Sequence, residues 1–203
     1  MLVHAVRLLL EAHPELVAIK LDATSAFNSV NRQPMMNELK THFPGLAPFF
    51  ERMYLAFPAG DKGPRILFGC KDGKIRVIWS REGTTQGDPG GPLLFALAIQ
   101  PALEEIQAKL GSEGHVLAYL DDVFLLVPAP QAAHSLRVAE EALGQRCGLR
   151  LKLSKCKIFD PAGGRVRGPD FEKGGRFFDV PQSTRGLLVV GGPVGSSGHQ
   201  AQT

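Results

Sequence analysis

Apolar and polar residues alternate along the chain at two spacings, and turn residues mark where one gives way to the other. Residues 2–12 (LVHAVRLLLEA) keep apolar positions at helical intervals around His4, Arg7 and Glu11. His13-Pro14 ends that helix, because the residue before a proline is pushed out of the helical region. LVAIKLD (16–22) is a short run of branched residues and predicts a buried strand ending on Asp22. Residues 33–57 predict helix in part, broken at Pro44 and Pro48. RILFGC-KDGK-IRVIWS (65–80) reads as two strands around Asp72-Gly73, a strong hairpin signal.

Asp88 can cap a further helix with Pro89 at its first position. The apolar stretch from Leu93 to Ile99 buries that helix, and Pro101 is expected to kink or divide it. HVLAYL and VFLLVP flank Asp121-Asp122, which predicts a second hairpin with both acids at or beside its turn. Apolar positions at Ala132, Leu136, Ala139, Leu143 and Cys147 predict a helix stopped by Gly148. LRLKLSKCKIF (149–159) alternates apolar and basic residues and reads as a strand or hairpin arm. From Pro161 the chain is rich in Gly and charge and reads as loop, until GLLVVGGPVG (186–195) gives a short strand and turn. SSGHQAQT (196–203) reads as a disordered tail.

From residue 16 onward, leaving aside the helical and hairpin insert, the order is β-α-β-β-α-β. That order predicts an α+β fold, an antiparallel sheet with two helices on one face. The first strand then lies beside the central hairpin. Asp22 at its end meets the Asp121-Asp122 doublet, 99 residues further on.

Composition adds limits. With 203 residues, 44% hydrophobic and 21% charged, the chain suits one domain, or one and a small piece. No apolar run reaches 18 residues, so no membrane span is expected, and the N-terminus reads as an amphipathic helix rather than a signal peptide. Cys70, Cys147 and Cys156 fit no zinc spacing and read as reduced, buried thiols of an intracellular protein. The net charge is only +3, yet residues 146–176 hold nine Lys or Arg against three acids. A polyanionic partner would explain that stretch, and so would a solvated basic face without one.

The acids carry the chemistry. Clustered carboxylates raise one another's pKa values, and a hard divalent cation removes the conflict. Two such ions about 4 Å apart make the clamp used for in-line phosphoryl displacement. A polar turn at Asp121-Asp122 and a cap at Asp22 account for the same residues without a metal.

The segments KLDATSAFNSVNR (20–32), QGDPGGPLLFALAIQP (86–101), AYLDD (118–122), GLRLKLSKC (148–156) and VGGPVG (190–195) stand in order at suitable spacings. They resemble palm motifs A to E of reverse transcriptases, most closely those of non-LTR retrotransposons, over residues 4 to 195. The resemblance implies a ferredoxin-like polymerase palm over residues 1–195, with a truncated fingers insert and the thumb missing. It also implies RNA-directed DNA polymerase activity with two Mg²⁺ ions (Mn²⁺ in their place), an RNA template, a DNA primer and dNTPs. By that resemblance Asp22, Asp121 and Asp122 hold the metals, and Lys155 protonates or neutralises the departing pyrophosphate. Phe27 stacks under the sugar and favours deoxynucleotides, while Gln86, Gly87 and Tyr119 line the nucleotide site. Gly191, Pro193 and Gly195 form the turn that positions the primer end. Gly90, Lys152 and Val190 depart from the family's usual Leu, Asn and Leu without removing a metal ligand. The alternative is a catalytically inactive retroelement remnant that at most binds nucleic acid. A maturase-like splicing helper would need a splicing domain after the palm.

Overall fold

The computed structural model describes residues 1–55, 65–85 and 87–195, with the backbone alone at 65–68 and 78. In chain order the elements are α1 (Leu2–Ala12), β1 (Leu16–Leu21), α2 (Ala26–Ser29), α3 (Arg32–His42), α4 (Ala47–Tyr54), β2 (Arg65–Gly69), β3 (Ile75–Trp79) and α5 (Gly91–Leu110). They continue with β4 (His115–Tyr119), β5 (Asp122–Pro128), α6 (Ala132–Cys147), β6 (Lys157–Phe159), β7 (Gln182–Ser183), β8 (Gly186–Val189) and β9 (Gly192–Gly195). The chain forms two compact units. One takes residues 1–24, 102–145 and those from 149 onward, and the other takes 25–101 and 146–148.

The first unit is built on a five-stranded sheet of order β4-β5-β1-β6-β7, antiparallel except for the short parallel pair β6–β7. β1 lies at its centre, and a central strand buried on both faces needs the near-continuous apolar run that LVAIKL supplies. Leu16 and Ala18 face one side, with Phe124, Leu126 and Phe159 beside them. There they meet Val6 of α1 and Leu187, Val189 and Val194 of the β8–β9 hairpin. Each of the Val, Leu and Phe side chains there, fully buried, contributes about 1.5–3 kcal/mol. Val17, Ile19, Val123, Leu125, Val127 and Ile158 form the opposite face and are equally buried. α5 reaches this part of the sheet through Gln107, which donates to the Gly114 carbonyl at 2.9 Å and accepts the Val116 N–H at 2.9 Å. The α+β architecture therefore matches the sequence pattern. Two features go beyond it: a parallel edge strand, and a helix and hairpin covering the second face.

Within the same unit, residues 160–176 are tied down by ion pairs. Asp160, 2% exposed, accepts the Arg165 backbone N–H at 2.8 Å and its Nε–H at 2.6 Å. Arg165 also donates to the carbonyl oxygens of Pro14 and Leu16, anchoring the loop to the start of β1. Arg137 pairs with Asp170 and Arg176 with Glu140, each at 2.7 Å. Part of the basic stretch is thus neutralised inside the protein.

In the second unit, Pro44 separates α3 from α4 as expected, but Pro48 lies in the first turn of α4. Proline is tolerated there, because the N–H it lacks would have had no helical partner. α5 begins at Gly91 and not at Pro89, since Asp88 closes a turn first: its Oδ1 accepts the Gly90 N–H and its carbonyl the Gly91 N–H. Pro101 lies inside α5, and the helix continues past it. The Asp72-Gly73 hairpin forms, with Gly73 at φ 77°. The predicted arm over 149–159 is a strand only at Lys157–Phe159, because the chain turns at 153–155. All three cysteines are free; Cys147 and Cys156 are buried, whereas Cys70 is half-buried. No helix among the described residues is long and apolar enough to cross a membrane. The predicted tail, 196–203, lies outside the described residues.

Candidate active site

β1 and β5 pair in antiparallel register from Leu16↔Pro128 to Leu21↔Val123. Asp22 directly follows Leu21 and Asp122 directly precedes Val123, so one step along the same register brings the two acids side by side. Asp121 is one of two residues, Leu120 and Asp121, that close the β4–β5 hairpin after the pair Tyr119↔Asp122. Leu120 adopts φ 55°, in the left-handed region that a side chain of its size seldom enters. A two-residue loop needs positive φ at its first central position, and the hairpin imposes it here on a leucine. Asp121 and Tyr119 are exposed; Asp22 and Asp122 are half-buried.

The chain after α6 returns to this point. Thr24 donates to the Arg150 carbonyl, Lys152 donates to the Asp22 carbonyl at 2.8 Å, and Ala23 bridges to Leu151. The Asp22 N–H points at Cys156 Sγ, 3.3 Å away. Burial pushes the Cys156 thiol up, which keeps it protonated and unreactive. Lys155 follows in the turn and is exposed, as are Arg150 and Lys152; among the described residues none of the three has an ion-pair partner.

The doublet has its own counter-charge. Lys20 Nζ lies 2.5 Å from Asp122 Oδ1 and 5.6 Å from the centre of the Phe124 ring. With Asp122 turned to that ammonium, no three His, Cys, Asp or Glu side chains among the described residues are grouped to hold a metal ion. The donor set at the strand end and hairpin tip is nevertheless made of carboxylate oxygens, the hard ligands that Mg²⁺ prefers, and it already attracts a cation.

The β8–β9 hairpin closes through Val190 and Gly191, both with positive φ (47° and 77°), the type I′ geometry. Gly191 is exposed, and Pro193 and Gly195 lie in β9. Arg7 of α1 donates to the Pro193 carbonyl, while its buried Nε has no partner among the described residues.

The remaining predicted residues belong to the second unit. Phe27 stacks on Phe95 at 4.2 Å and 17°. Beside it lies a cleft of about 450 Å³ whose walls include Asn28, Thr84, Thr85, Gly87 and Asp88. Gln86 lies outside the described residues. The loop that bears Gly87 is held by Arg32, which is 4% exposed. Its guanidinium donates to the carbonyls of Gly83, Ser80, Glu82 and Tyr54 and to Ser80 Oγ. Tyr54 lies under that guanidinium at 5.0 Å, donates its hydroxyl to Asp88 and accepts the Thr85 N–H at 3.0 Å. Burial first, then the bond to Asp88, raises the Tyr54 hydroxyl above its ordinary value.

Sequence reasoning missed Lys20, Arg32 and Tyr54. Lys20 had a signal, being the one charge within an otherwise apolar strand. Arg32 and Tyr54 had none, since a single Arg or Tyr on a helix looks the same whether it is solvated or buried.

The reverse transcriptase (RNA-dependent DNA polymerase) family model matches residues 4–180. No curated protein sequence matches the chain. Similar solved structures include three telomerases, each at 12% identity. Apo telomerase from Candida tropicalis truncated from the C-terminal domain aligns at TM-score 0.60, over 77% of this chain and 33% of its own. Apo telomerase from Candida tropicalis aligns at 0.61, over 95% and 34%. Telomerase from Candida albicans with a TWJ fragment of telomeric RNA aligns at 0.56, over 83% and 31%. At that identity the likeness is one of fold, and this chain spans about a third of each.

Proposed function

Since the chain belongs to the reverse transcriptase (RNA-dependent DNA polymerase) family, we propose that it is the palm, with a partial fingers insert, of an RNA-directed DNA polymerase from a non-LTR retrotransposon. The primer 3′-oxygen would attack the α-phosphorus of a dNTP. The new O–P bond forms as the bond to pyrophosphate breaks. Members of the family use divalent metal ions in general. Asp22 and Asp121 would hold two Mg²⁺ ions, or Mn²⁺, with Asp122 assisting. When bound, such ions stabilise the attacking and leaving oxygens.

The chain's own residues have separate tasks in this reading. Lys155 would donate a proton to the departing pyrophosphate or balance its charge. Arg150 and Lys152 are exposed beside it and would meet phosphates in a salt-dependent way. Phe27 would exclude a ribose 2′-OH. Gln86, Gly87 and Tyr119 would contact the nucleotide, and Gly191, Pro193 and Gly195 the primer end. The RNA template is supported most directly by the family, and by the RNA named with one structural neighbour.

The observation that carries this reading is the register of β1 on β5, which leads Asp22 to the Asp121-Asp122 hairpin. The test is dNTP incorporation on a primed RNA template, with and without Mg²⁺. Incorporation that needs Mg²⁺ and is lost in Asp121→Asn with the fold retained supports the reading; activity surviving that change overturns the metal assignment. The Lys20–Asp122 ion pair favours a second reading, a catalytically inactive remnant that binds nucleic acid. Salt-sensitive RNA binding without incorporation would establish that one instead.

A further inference from the structure

Along β1, Leu16 and Ala18 point into the core and Lys20 follows on the same face. A charge there displaces an apolar residue that the central strand of the sheet would otherwise hold, so it needs compensation. Two contacts supply it. The Lys20 ammonium is 2.5 Å from Asp122 Oδ1, and its stem runs over Phe124, with Nζ 5.6 Å from the ring centre. Both partners are only about a quarter exposed, at 25% and 27%, so water screens the pair incompletely. No comparable cation serves the neighbouring acids: among the described residues the Asp22 and Asp121 carboxylates have no ion-pair partner.

We propose that Lys20 is a tethered counter-ion that competes with divalent cations for Asp122 and thereby sets the metal affinity of the site. This rests on the metal-binding reading given above. Lys20 offsets one of the three negative charges at the hairpin tip, so the tip folds without a metal. Asp22 and Asp121 would hold a divalent cation with no counter-ion to displace, whereas Asp122 would join them only on giving up the Lys20 ammonium.

The test is a Mn²⁺ titration of the full 203-residue chain, followed by the loss of the free-ion electron paramagnetic resonance signal, so that no catalysis is needed. Lys20→Met and Lys20→Gln are expected to bind Mn²⁺ about fivefold more tightly than the unmodified protein, the size of one partly screened charge pair. Lys20→Arg, which keeps the cation, should stay within about twofold. The gain must vanish when Asp122→Asn is added, because the competition is for that carboxylate. Unchanged or weaker binding in both neutral variants, with circular dichroism showing a native fold, would make the pair purely structural and end the proposal. So would a gain that persists without Asp122, which would mean long-range charge alone. If the unmodified protein and all variants leave Mn²⁺ free, the metal-binding reading itself fails and this inference falls with it.

Discussion

Arg32 donates its Nε–H to the carbonyl oxygen of Gly83 at 2.7 Å, joining the start of α3 to the loop before Gly87. The same guanidinium satisfies three more carbonyls, so removing it leaves several buried acceptors without donors. Arg32→Met should destabilise the protein by about 3–5 kcal/mol, seen as a lower denaturant midpoint at unchanged slope. Arg32→Lys keeps the charge but loses the planar fork, and should still cost about 2 kcal/mol.

Gly83 is constrained on two counts. Its φ is +71°, and a Cβ there would lie 2.2 Å from the Asn28 carbonyl carbon. Gly83→Ala should therefore cost more than about 2 kcal/mol, because strain and a backbone clash act together. Gly73→Ala is the control: φ is +77° but nothing stands within 4 Å, so only about 1 kcal/mol is expected. Thermal melts of the two variants make the comparison.

Asp160 gives the protein an acid-sensitive fastener. Burial alone would push its carboxyl up, but the Arg165 backbone N–H and guanidinium outweigh burial and hold it below the usual range. A carboxyl depressed in the folded state contributes stability that is complete above its unfolded value, about 3.9, and lost as pH falls through the folded value. Asp160→Asn should cost about 2 kcal/mol at pH 7 and lose less stability than the unmodified protein between pH 4 and pH 2. Urea midpoints across that range test both statements.

The Val190-Gly191 turn holds a β-branched residue at φ 47°, where asparagine is better accommodated. Val190→Asn should stabilise the protein by about 0.5–1 kcal/mol. Because Val190 is exposed, little apolar burial is lost in exchange.

Spacing and turn chemistry made the sheet legible from sequence. The alternation around Asp121-Asp122 and the apolar run before Asp22 each specify a strand, and the β-α-β-β-α-β order then makes them neighbours. The placement of β7 was not legible, because Gln182 and Ser183 have no apolar pattern and are held by pairing with Ile158 and Phe159. The arm over 149–155 misled for the opposite reason. Its alternation is real, but Lys155 and Cys156 both bond back to the Lys152 carbonyl and close a turn. At the site, the acids stood out by type, whereas Arg32 and Tyr54, which brace the loop before Gly87, did not. Lys20 showed as the one charge in an apolar strand, but its partner Asp122 did not, and Arg32 and Tyr54 act through contacts distant in sequence that no local pattern records.

The two-residue loop between Tyr119 and Asp122 leaves no slack at the hairpin tip. A longer loop could absorb an insertion, but here one extra residue in β5 would rotate every side chain beyond it to the other face. Asp122 would then fall out of step with the hydrophobic residues behind it, which would leave the core. Chemistry and folding are thus read from the same ruler, and a frameshift in pairing could not spare one while spoiling the other.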